Sequence, residues 1–316
     1  MALRIAFFGT PAFAVPTLDA LLASRHTVVG VVTQPDRPRG RGQQVSQSPV
    51  KERAGIVGVP VLQPIRLKGV EFLDAFGAWN ADLAVVAAYG RLLPQALLDL
   101  PPLGLINVHA SLLPAWRGAS PIQRAVLNGD ATTGVTIMRV VLALDAGPML
   151  ARVEVPIAPD DTSGSLERRL AVAGASLLRD VVDRLGDAPV PELTQDDARA
   201  TLAPRLEKHE GQIDWARSAH QLDRHVRGMQ PWPGAYTFVD GQRLVIRDAA
   251  PVAFTAHRAA AGQVIAEDGD AVIVACGGGD YLRVLTVQPD GRRMMTARAW
   301  LAGRRRITPV QFGEPA

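Results

Sequence analysis

Two polar side chains near the middle of the chain have types that suit acyl-group chemistry. Asn107 and His109 lie two residues apart, directly after the apolar run Gly104-Leu105-Ile106, which is typical of the end of a buried strand. On an extended chain this spacing places both side chains on one face. An amide can donate a hydrogen bond to a developing oxyanion, and an imidazole can move a proton. From the spacing alone, a structural hydrogen-bonding pair is the more common explanation.

Asp145 is the third candidate for chemistry. It lies between Leu144 and Ala146, ahead of Gly147-Pro148, so its carboxylate has apolar neighbours in a turn. A carboxylate in such surroundings needs a partner, and a histidine is a suitable one. The alternative from this segment alone is a structural aspartate that caps the turn.

Strand and helix patterns alternate along the first half of the chain and could position these residues. Apolar runs predict strands at 4–8, 28–33, 61–62, 83–87 and 134–138, and helical periodicity predicts helices at 15–22, 48–57 and 67–79. This α/β alternation predicts an N-terminal Rossmann-like, doubly wound, mostly parallel sheet. Ligands of such sheets bind beyond the carboxyl ends of the strands, where Asn107 and His109 fall. No Gly-x-Gly-x-x-Gly spacing follows the first strand, so a dinucleotide site is not indicated.

The second half of the chain has a different pattern. A long amphipathic helix at 166–185 closes a first domain at 1–188, and a proline-containing stretch at 189–207 reads as a linker. Short runs separated by glycine-rich turns then predict a C-terminal OB-like β-barrel domain at 208–316; the runs are 236–239, 243–247, 262–265, 271–275 and 282–287. Barrels of this type often bind nucleic acid.

The distribution of charge points to a polyanionic partner. Of 34 basic and 31 acidic residues, 20 of each lie in 1–207, and the other 14 and 11 lie in 208–316. One cluster without acidic residues follows the second predicted strand and holds Arg37, Arg39, Arg41 and Lys51. A second, at 292–306, holds Arg292, Arg293, Arg298, Arg304, Arg305 and Arg306. Separate basic stretches on a nearly neutral body suit RNA, although a solvated arginine-rich surface explains the composition equally well.

Composition restricts the class of protein. A length of 316 residues allows two domains. Within the first basic cluster, two prolines and two glycines in 34–42 favour an exposed loop over a helix or strand. The single cysteine, Cys276, suits a reducing compartment, and no apolar run is long enough for a membrane span, so we expect a cytoplasmic protein. His209-Glu210 lacks the second histidine of a zinc-binding helix, so no metal site is indicated.

The motif around the first two candidates resembles a known signature. The run Asn107-Val108-His109, followed by Ser111-Leu112-Leu113-Pro114 and Trp116-Arg117-Gly118, is similar to that of the folate-dependent formyltransferases. The similarity extends from Ile5 to about Phe312 in the same order. It implies transfer of a formyl group from 10-formyltetrahydrofolate to the α-amino group of methionine on initiator tRNA, by a monomer.

The resemblance also implies roles for individual residues. Asn107, His109 and Asp145 match the catalytic positions of the family. Its tetrahydrofolate-binding segment corresponds to Ser111, Leu112, Leu113 and Pro114. Contacts with tRNA are expected from an inserted loop and from the C-terminal domain, through Arg37, Arg39, Arg41, Arg304, Arg305 and Arg306.

In the mechanism that we expect, the Asn107 amide stabilises the oxyanion of a tetrahedral intermediate and protonated His109 adds positive charge. Asp145 orients His109 and assists proton transfer from the amine to the departing nitrogen.

The chain departs from the family pattern at four positions, and its candidate catalytic residues also allow other functions. Ala115, Val141, Ala143 and Ala146 stand where the family often has arginine, an acidic residue, glycine and threonine, which affects detailed folate and tRNA contacts. The same three catalytic residues would serve an enzyme acting on glycinamide ribonucleotide or a nucleotide sugar, or a hydrolase releasing formate. A non-catalytic RNA-binding protein that retains the domain is a rival from another class.

Overall fold

The computed structural model describes residues 1–39, 44–255, 259–304 and 310–313. They form two compact units. The first comprises Met1–Pro121, Thr132–Pro156 and Glu167–Pro204, and the second comprises Ile122–Ala131, Ile157–Leu166 and Arg205–Ala316. None of the helices in the described residues is both long enough and apolar enough to cross a membrane.

Helices and strands alternate through the first two thirds of the chain. In chain order they are β1 (Arg4–Gly9), α1 (Val15–Leu22), β2 (Thr27–Val32), β3 (Arg37–Arg39), β4 (Gln44–Ser46), α2 (Pro49–Val57), β5 (Val61–Leu62), α3 (Val70–Gly77), β6 (Leu83–Ala87), α4 (Gln95–Leu98), β7 (Leu105–His109), β8 (Arg117–Gly118), α5 (Pro121–Asn128), β9 (Thr132–Arg139), β10 (Met149–Pro156), α6 (Ser163–Asp187) and β11 (Leu202–Ala203).

A seven-stranded sheet organises the first unit, with strand order β10-β9-β7-β6-β1-β2-β5. The neighbouring pairs from β7 to β5 are parallel. Strand β9 pairs antiparallel with both of its neighbours, β7 and β10. The predicted Rossmann-like, mostly parallel sheet is therefore confirmed. Every residue of β6 is buried, as expected for an apolar strand covered on both faces.

Strand β7 carries Asn107 and His109 between two neighbours. Asn107 lies opposite Val86 of β6 and Met138 of β9, and His109 lies opposite Thr136 of β9. Backbone pairing fixes Asn107 from both sides and His109 from the β9 side, so their side chains leave the sheet at a defined place.

The prediction that residues 34–42 contain no strand is wrong. Arg37–Arg39 pairs with Gln44–Ser46 as an antiparallel ribbon, with Pro38 opposite Val45. Proline is compatible with a two-stranded ribbon because alternate N–H groups of an antiparallel strand point away from the partner. The side chains of residues 38, 39, 44 and 45 lie outside the described part of the structure.

The second unit is built on an antiparallel sheet. Its elements after residue 204 are α7 (Ala219–Gly228), β12 (Ala235–Val239), β13 (Gln242–Val252), β14 (Val264–Asp268), β15 (Ala271–Ala275), β16 (Tyr281–Pro289), β17 (Met295–Thr296) and α8 (Ala297–Ala302). The strand order is β12-β13-β16-β15-β14, with β17 paired to β16. This arrangement confirms a separate β domain, and its closure into an OB-like barrel stays a prediction.

Candidate active site

His109 and Asp145 come together although they are 36 positions apart in the chain. His109 is buried, with Nε2 3.0 Å from the Trp116 carbonyl oxygen and Nδ1 3.7 Å from Asp145 Oδ2. The first contact is a hydrogen bond, and the second is an ion-pair contact longer than a hydrogen bond. A carbonyl oxygen only accepts, so Nε2 carries a proton. A ring protonated at both nitrogens would direct its second N–H group towards the Asp145 carboxylate.

The Asp145 carboxylate is held by a backbone amide. Gly118 donates its N–H to Oδ2 at 2.8 Å. A side chain at Gly118 would not fit, because its φ is +127° and a Cβ atom would lie 2.6 Å from the Ala203 carbonyl oxygen. The glycine of the Trp116-Arg117-Gly118 motif therefore allows the close approach that brings this N–H to the carboxylate.

Asp145 itself adopts a backbone conformation that few residues tolerate. Its φ is +47°, in the left-handed region where aspartate is several-fold enriched among non-glycine residues. The following turn requires Gly147, because a Cβ atom there would lie 2.0 Å from the Arg139 carbonyl oxygen. Arg139 N–H also bonds the Pro148 carbonyl at 2.8 Å. Residues 140–147 thus form a loop closed at its base, with Asp145 near its end.

Gln195 fastens the same loop from the segment predicted as a linker. Its Nε2 group donates to the carbonyl oxygens of Asp145 at 2.8 Å and Gly147 at 2.7 Å. Arg117 donates to Gln195 Oε1 from Nε at 3.0 Å and from Nη2 at 2.8 Å. Residue type and local pattern gave no signal for Gln195, since its contacts are with residues about fifty and eighty positions away.

Asn107 presents an amide without a hydrogen-bond partner among the described residues. The residue is partly exposed at the end of β7, and its side chain makes no hydrogen bond to any residue that the structure describes. An amide has two N–H donors. Asn107 lies two residues before His109 in the same strand, so its side chain leaves the same face of the sheet as the imidazole, where an amide donor would suit an oxyanion site.

Hydrogen bonds from β9 hold the backbone of the predicted folate segment. Thr136 Oγ1 donates to the Ser111 carbonyl at 2.7 Å and accepts from the Leu113 N–H at 3.1 Å. The buried Ser111 hydroxyl bonds the Ala115 carbonyl, and the Leu113 side chain is fully buried. The half-buried side chains in this segment are those of Leu112 and Pro114.

A cavity of about 470 Å³ lies near the Asp145 loop in the first unit. Its lining combines three cationic side chains, Arg66, Lys68 and Arg91, with apolar ones. The apolar lining residues are Leu67, Leu92, Leu93, Pro94 and Leu142. Arg91 shapes one wall by donating to the carbonyls of Pro64 and Ile65 at 2.9 and 2.8 Å. Leu142 connects the cavity to the loop that carries Asp145. Such a site suits a planar apolar molecule with a carboxylate tail.

The predicted tRNA-binding arginines differ in their exposure and contacts, and three of them lie outside the described residues. Arg37 is exposed at the start of β3, and Arg39 lies in the same strand. Arg304 is paired with Asp240, and its guanidinium lies 4.9 Å from the centre of the Trp300 ring, so it is engaged within its own unit. Arg41, Arg305 and Arg306 lie outside the described residues.

The described residues hold no cluster of metal ligands. Within the described ranges, no three histidine, cysteine, aspartate or glutamate side chains are grouped so that they could hold a metal ion. His109 and Asp145 therefore interact with each other and with backbone groups rather than as part of such a cluster.

Comparison with known families gives two matches. Residues 3–182 match the model of formyl transferases, and residues 205–305 match that of the formyl transferase C-terminal domain. A methionyl-tRNA formyltransferase of Desulfotalea psychrophila is 46% identical over 302 residues, covering 96% of this chain and 93% of its own. A methionyl-tRNA formyltransferase of Methylococcus capsulatus is 48% identical over 299 residues, covering 95% and 96%.

Solved structures share the fold at low identity. An N-formyltransferase of Helicobacter canadensis, in complex with folinic acid and dTDP-3-aminofucose, has a TM-score of 0.66 and 14% identity, covering 91% of this chain and 99% of its own. HypX of Aquifex aeolicus in complex with tetrahydrofolic acid has a TM-score of 0.66 and 16% identity over 96% of this chain. The present chain spans about half of HypX, 47% of its length.

Proposed function

Since the chain belongs to the formyl transferase family, we propose that it transfers the formyl group of 10-formyltetrahydrofolate to the α-amino group of methionine on initiator tRNA. The observation that carries this proposal is the 46% identity with a methionyl-tRNA formyltransferase over 96% of the chain, which includes both domains. The contact between His109 and Asp145, on the strand that also carries Asn107, supports the chemistry.

The attacking group belongs to the substrate, so the enzyme needs no nucleophile of its own. A free α-amino group has a pKa of about 8, which leaves part of it neutral at pH 7. When its nitrogen forms a bond to the formyl carbon, negative charge develops on the formyl oxygen. Asn107 donates an N–H to this oxygen. Both nitrogens of His109 face protein oxygens, so its protonated ring contributes positive charge rather than a direct bond.

Asp145 moves the proton that the reaction must relocate. One carboxylate oxygen, Oδ2, is held by Gly118 and faces His109, whereas Oδ1 makes no hydrogen bond to a described residue. The carboxylate accepts the proton of the attacking nitrogen and delivers it to N10 of the folate. The bond from N10 to the formyl carbon then breaks, giving a formylated amine and tetrahydrofolate. This relay is general acid–base catalysis by one positioned group.

The formyl donor suits the first unit. Folate combines a planar bicyclic ring with a carboxylate-bearing tail, which matches the apolar lining and the cationic rim of the cavity formed with Arg66, Lys68 and Arg91. In the predicted folate segment, Leu112 and Pro114 supply half-buried apolar side chains. Bound there, the donor supplies the formyl group that Asn107 polarises.

We assign Arg37 and Arg39 of β3, and Arg41 outside the described residues, to tRNA binding. Replacing Arg37, Arg39 and Arg41 together by alanine should weaken tRNA binding and reduce the slope of log Kd against log salt by about 2, since each phosphate contact contributes roughly 0.7–0.9. The value of kcat at saturating tRNA should stay near that of the wild type. Fluorescence titrations between low and high salt measure the slope. Arg179→Ala removes an exposed arginine of α6 and is the matched control; an unchanged slope in the triple variant would refute the assignment.

The acceptor is identified by offering the candidates one at a time. The protein is incubated with 10-formyltetrahydrofolate and one of four acceptors: methionyl initiator tRNA, free methionine, glycinamide ribonucleotide or an amino sugar nucleotide. Formylation of the charged tRNA alone is expected. Formylation of one of the small acceptors, or release of formate without an acceptor, would refute the proposed function.

We also propose that the enzyme acts as a monomer in the cytoplasm. Each catalytic side chain comes from one chain and one compact unit, so no second copy is needed to complete the site. Sedimentation at working concentration tests the oligomeric state.

A further inference from the structure

Gln195 has the contacts of a group that positions catalytic machinery. Its side chain is buried, with 6% of its surface exposed, and every polar atom of its amide is used. Nε2 bonds the carbonyls of Asp145 and Gly147, while Oε1 accepts twice from Arg117. A buried amide satisfied on both sides can adopt only one orientation.

Arg117 determines which way this amide faces. A guanidinium only donates hydrogen bonds, so the amide oxygen of Gln195 must face Arg117. The NH₂ group is then directed at two backbone carbonyls, which only accept. Arg117 also pairs with the exposed carboxylate of Asp197 at 2.7 Å. The pairing is therefore fixed by donor and acceptor types.

The loop that Gln195 holds has little packing of its own. Val141, Leu142 and Leu144 are exposed by 40%, 63% and 53%, so the residues before Asp145 contribute few buried contacts. Asp145 is also in the left-handed region, at φ +47°, a conformation that persists only when its surroundings enforce it. The two hydrogen bonds from Gln195 act on the carbonyls of Asp145 and Gly147, on either side of the strained turn.

We propose that Gln195, oriented by Arg117, is a positioning residue that holds the Asp145 carboxylate facing His109. Asp145 Oδ2 lies 3.7 Å from His109 Nδ1, so a small rotation of the loop would separate the two groups. The catalytic consequence rests on the proposed formyl transfer, whereas the structural consequence for the loop does not.

Two variants that cannot donate from position 195 test the proposal. Gln195→Glu keeps the shape and the pairing with Arg117 but places an oxygen against the two carbonyls. Gln195→Met keeps the length without polar atoms. Each should lower kcat by about 10–100-fold, while KM for folate and for tRNA changes by less than about threefold. The pH profile of kcat should also change, because the distance between carboxylate and imidazole governs how their protonation states are coupled.

Hydrogen–deuterium exchange provides a readout that needs no activity. In both variants the amides of residues 140–149 and of Gly118, which donates to Asp145, should exchange faster than in the wild type. Asp197→Asn is the control: it removes the negative charge of the other partner of Arg117. Because the Asp197 side chain is 82% exposed, this variant should leave exchange and kcat near wild-type values.

The outcomes separate the two proposals. A wild type that formylates no tRNA refutes the proposed function, while faster exchange of the loop still supports the positioning role. Unchanged exchange, or a loss of thermal stability with unchanged kcat and pH profile in the folded fraction, overturns the positioning role. A loss of kcat in Gln195→Glu but not in Gln195→Met also overturns it, since electrostatic repulsion would then be the cause.

Discussion

Replacing Asn107 by alanine is expected to lower kcat by about 10²–10³-fold, equivalent to about 2.7–4 kcal/mol of transition-state stabilisation. The amide has no hydrogen-bond partner among the described residues, it lies on the same strand face as His109, and its backbone is paired on both sides, to β6 and β9. Preorganised donors of this kind act on charge that appears only during reaction, so the loss falls on kcat rather than on KM. Single-turnover formylation at saturating substrates measures it.

The same substitution should leave the fold intact. The Asn107 side chain makes no hydrogen bond to a described residue and is partly exposed, so the free energy of unfolding should change by less than about 1 kcal/mol. Asn107→Asp is a sharper test, because it keeps the size but puts a negative charge where the oxyanion develops; its kcat should fall below that of the alanine variant. A kcat within about threefold of wild type in Asn107→Ala would exclude the oxyanion role.

Local patterns predicted the elements that form the sheet. The bounds of β5 and β6 agree with the predicted strands at 61–62 and 83–87. The apolar run of β6 is buried along its whole length, as expected for a central strand covered on both faces. Strand β10 follows another rule. It lies at the edge of the sheet and carries the charged residues Arg152 and Glu154, so it lacks the continuous apolar run of a central strand.

The geometry of the site depends on contacts that no local pattern encodes. Residue types and the family resemblance identified Asn107, His109 and Asp145 as candidates. The Gly118 N–H that holds Asp145, and the Gln195 amide beneath it, come from segments 27 and 50 residues away. Gln195 also lies in a proline-containing stretch whose composition indicates a linker. The positive φ of Asp145 follows from this enclosure and from Gly147, and not from its own type alone.

Asp145→Asn should lower kcat by about 10²–10⁴-fold, the range for loss of a general acid–base group. The substitution keeps the shape, and the asparagine Oδ1 can still accept from the Gly118 N–H, now held at 2.8 Å. That oxygen is also the one that faces His109 Nδ1, so the new NH₂ group takes the place of the other carboxylate oxygen. The negative charge beside the imidazole and the proton relay are lost together. Thermal unfolding should stay close to wild type, and a kcat within tenfold of wild type with unaltered pH dependence would contradict the role.

A double-mutant cycle with His109→Ala tests whether the pair acts as one unit. His109 is 5% exposed and its Nδ1 is 3.7 Å from Asp145 Oδ2, so each group is expected to depend on the other. Residues that act together show strongly non-additive losses of kcat. In the His109→Ala background, Asp145→Asn should lower kcat only by the factor that the proton relay contributes. The double variant should therefore be faster than the product of the two single losses predicts by about tenfold or more. Losses that multiply would mean that Asp145 acts on the substrate without His109, and the relay through its Oδ1 would then be the whole of its contribution.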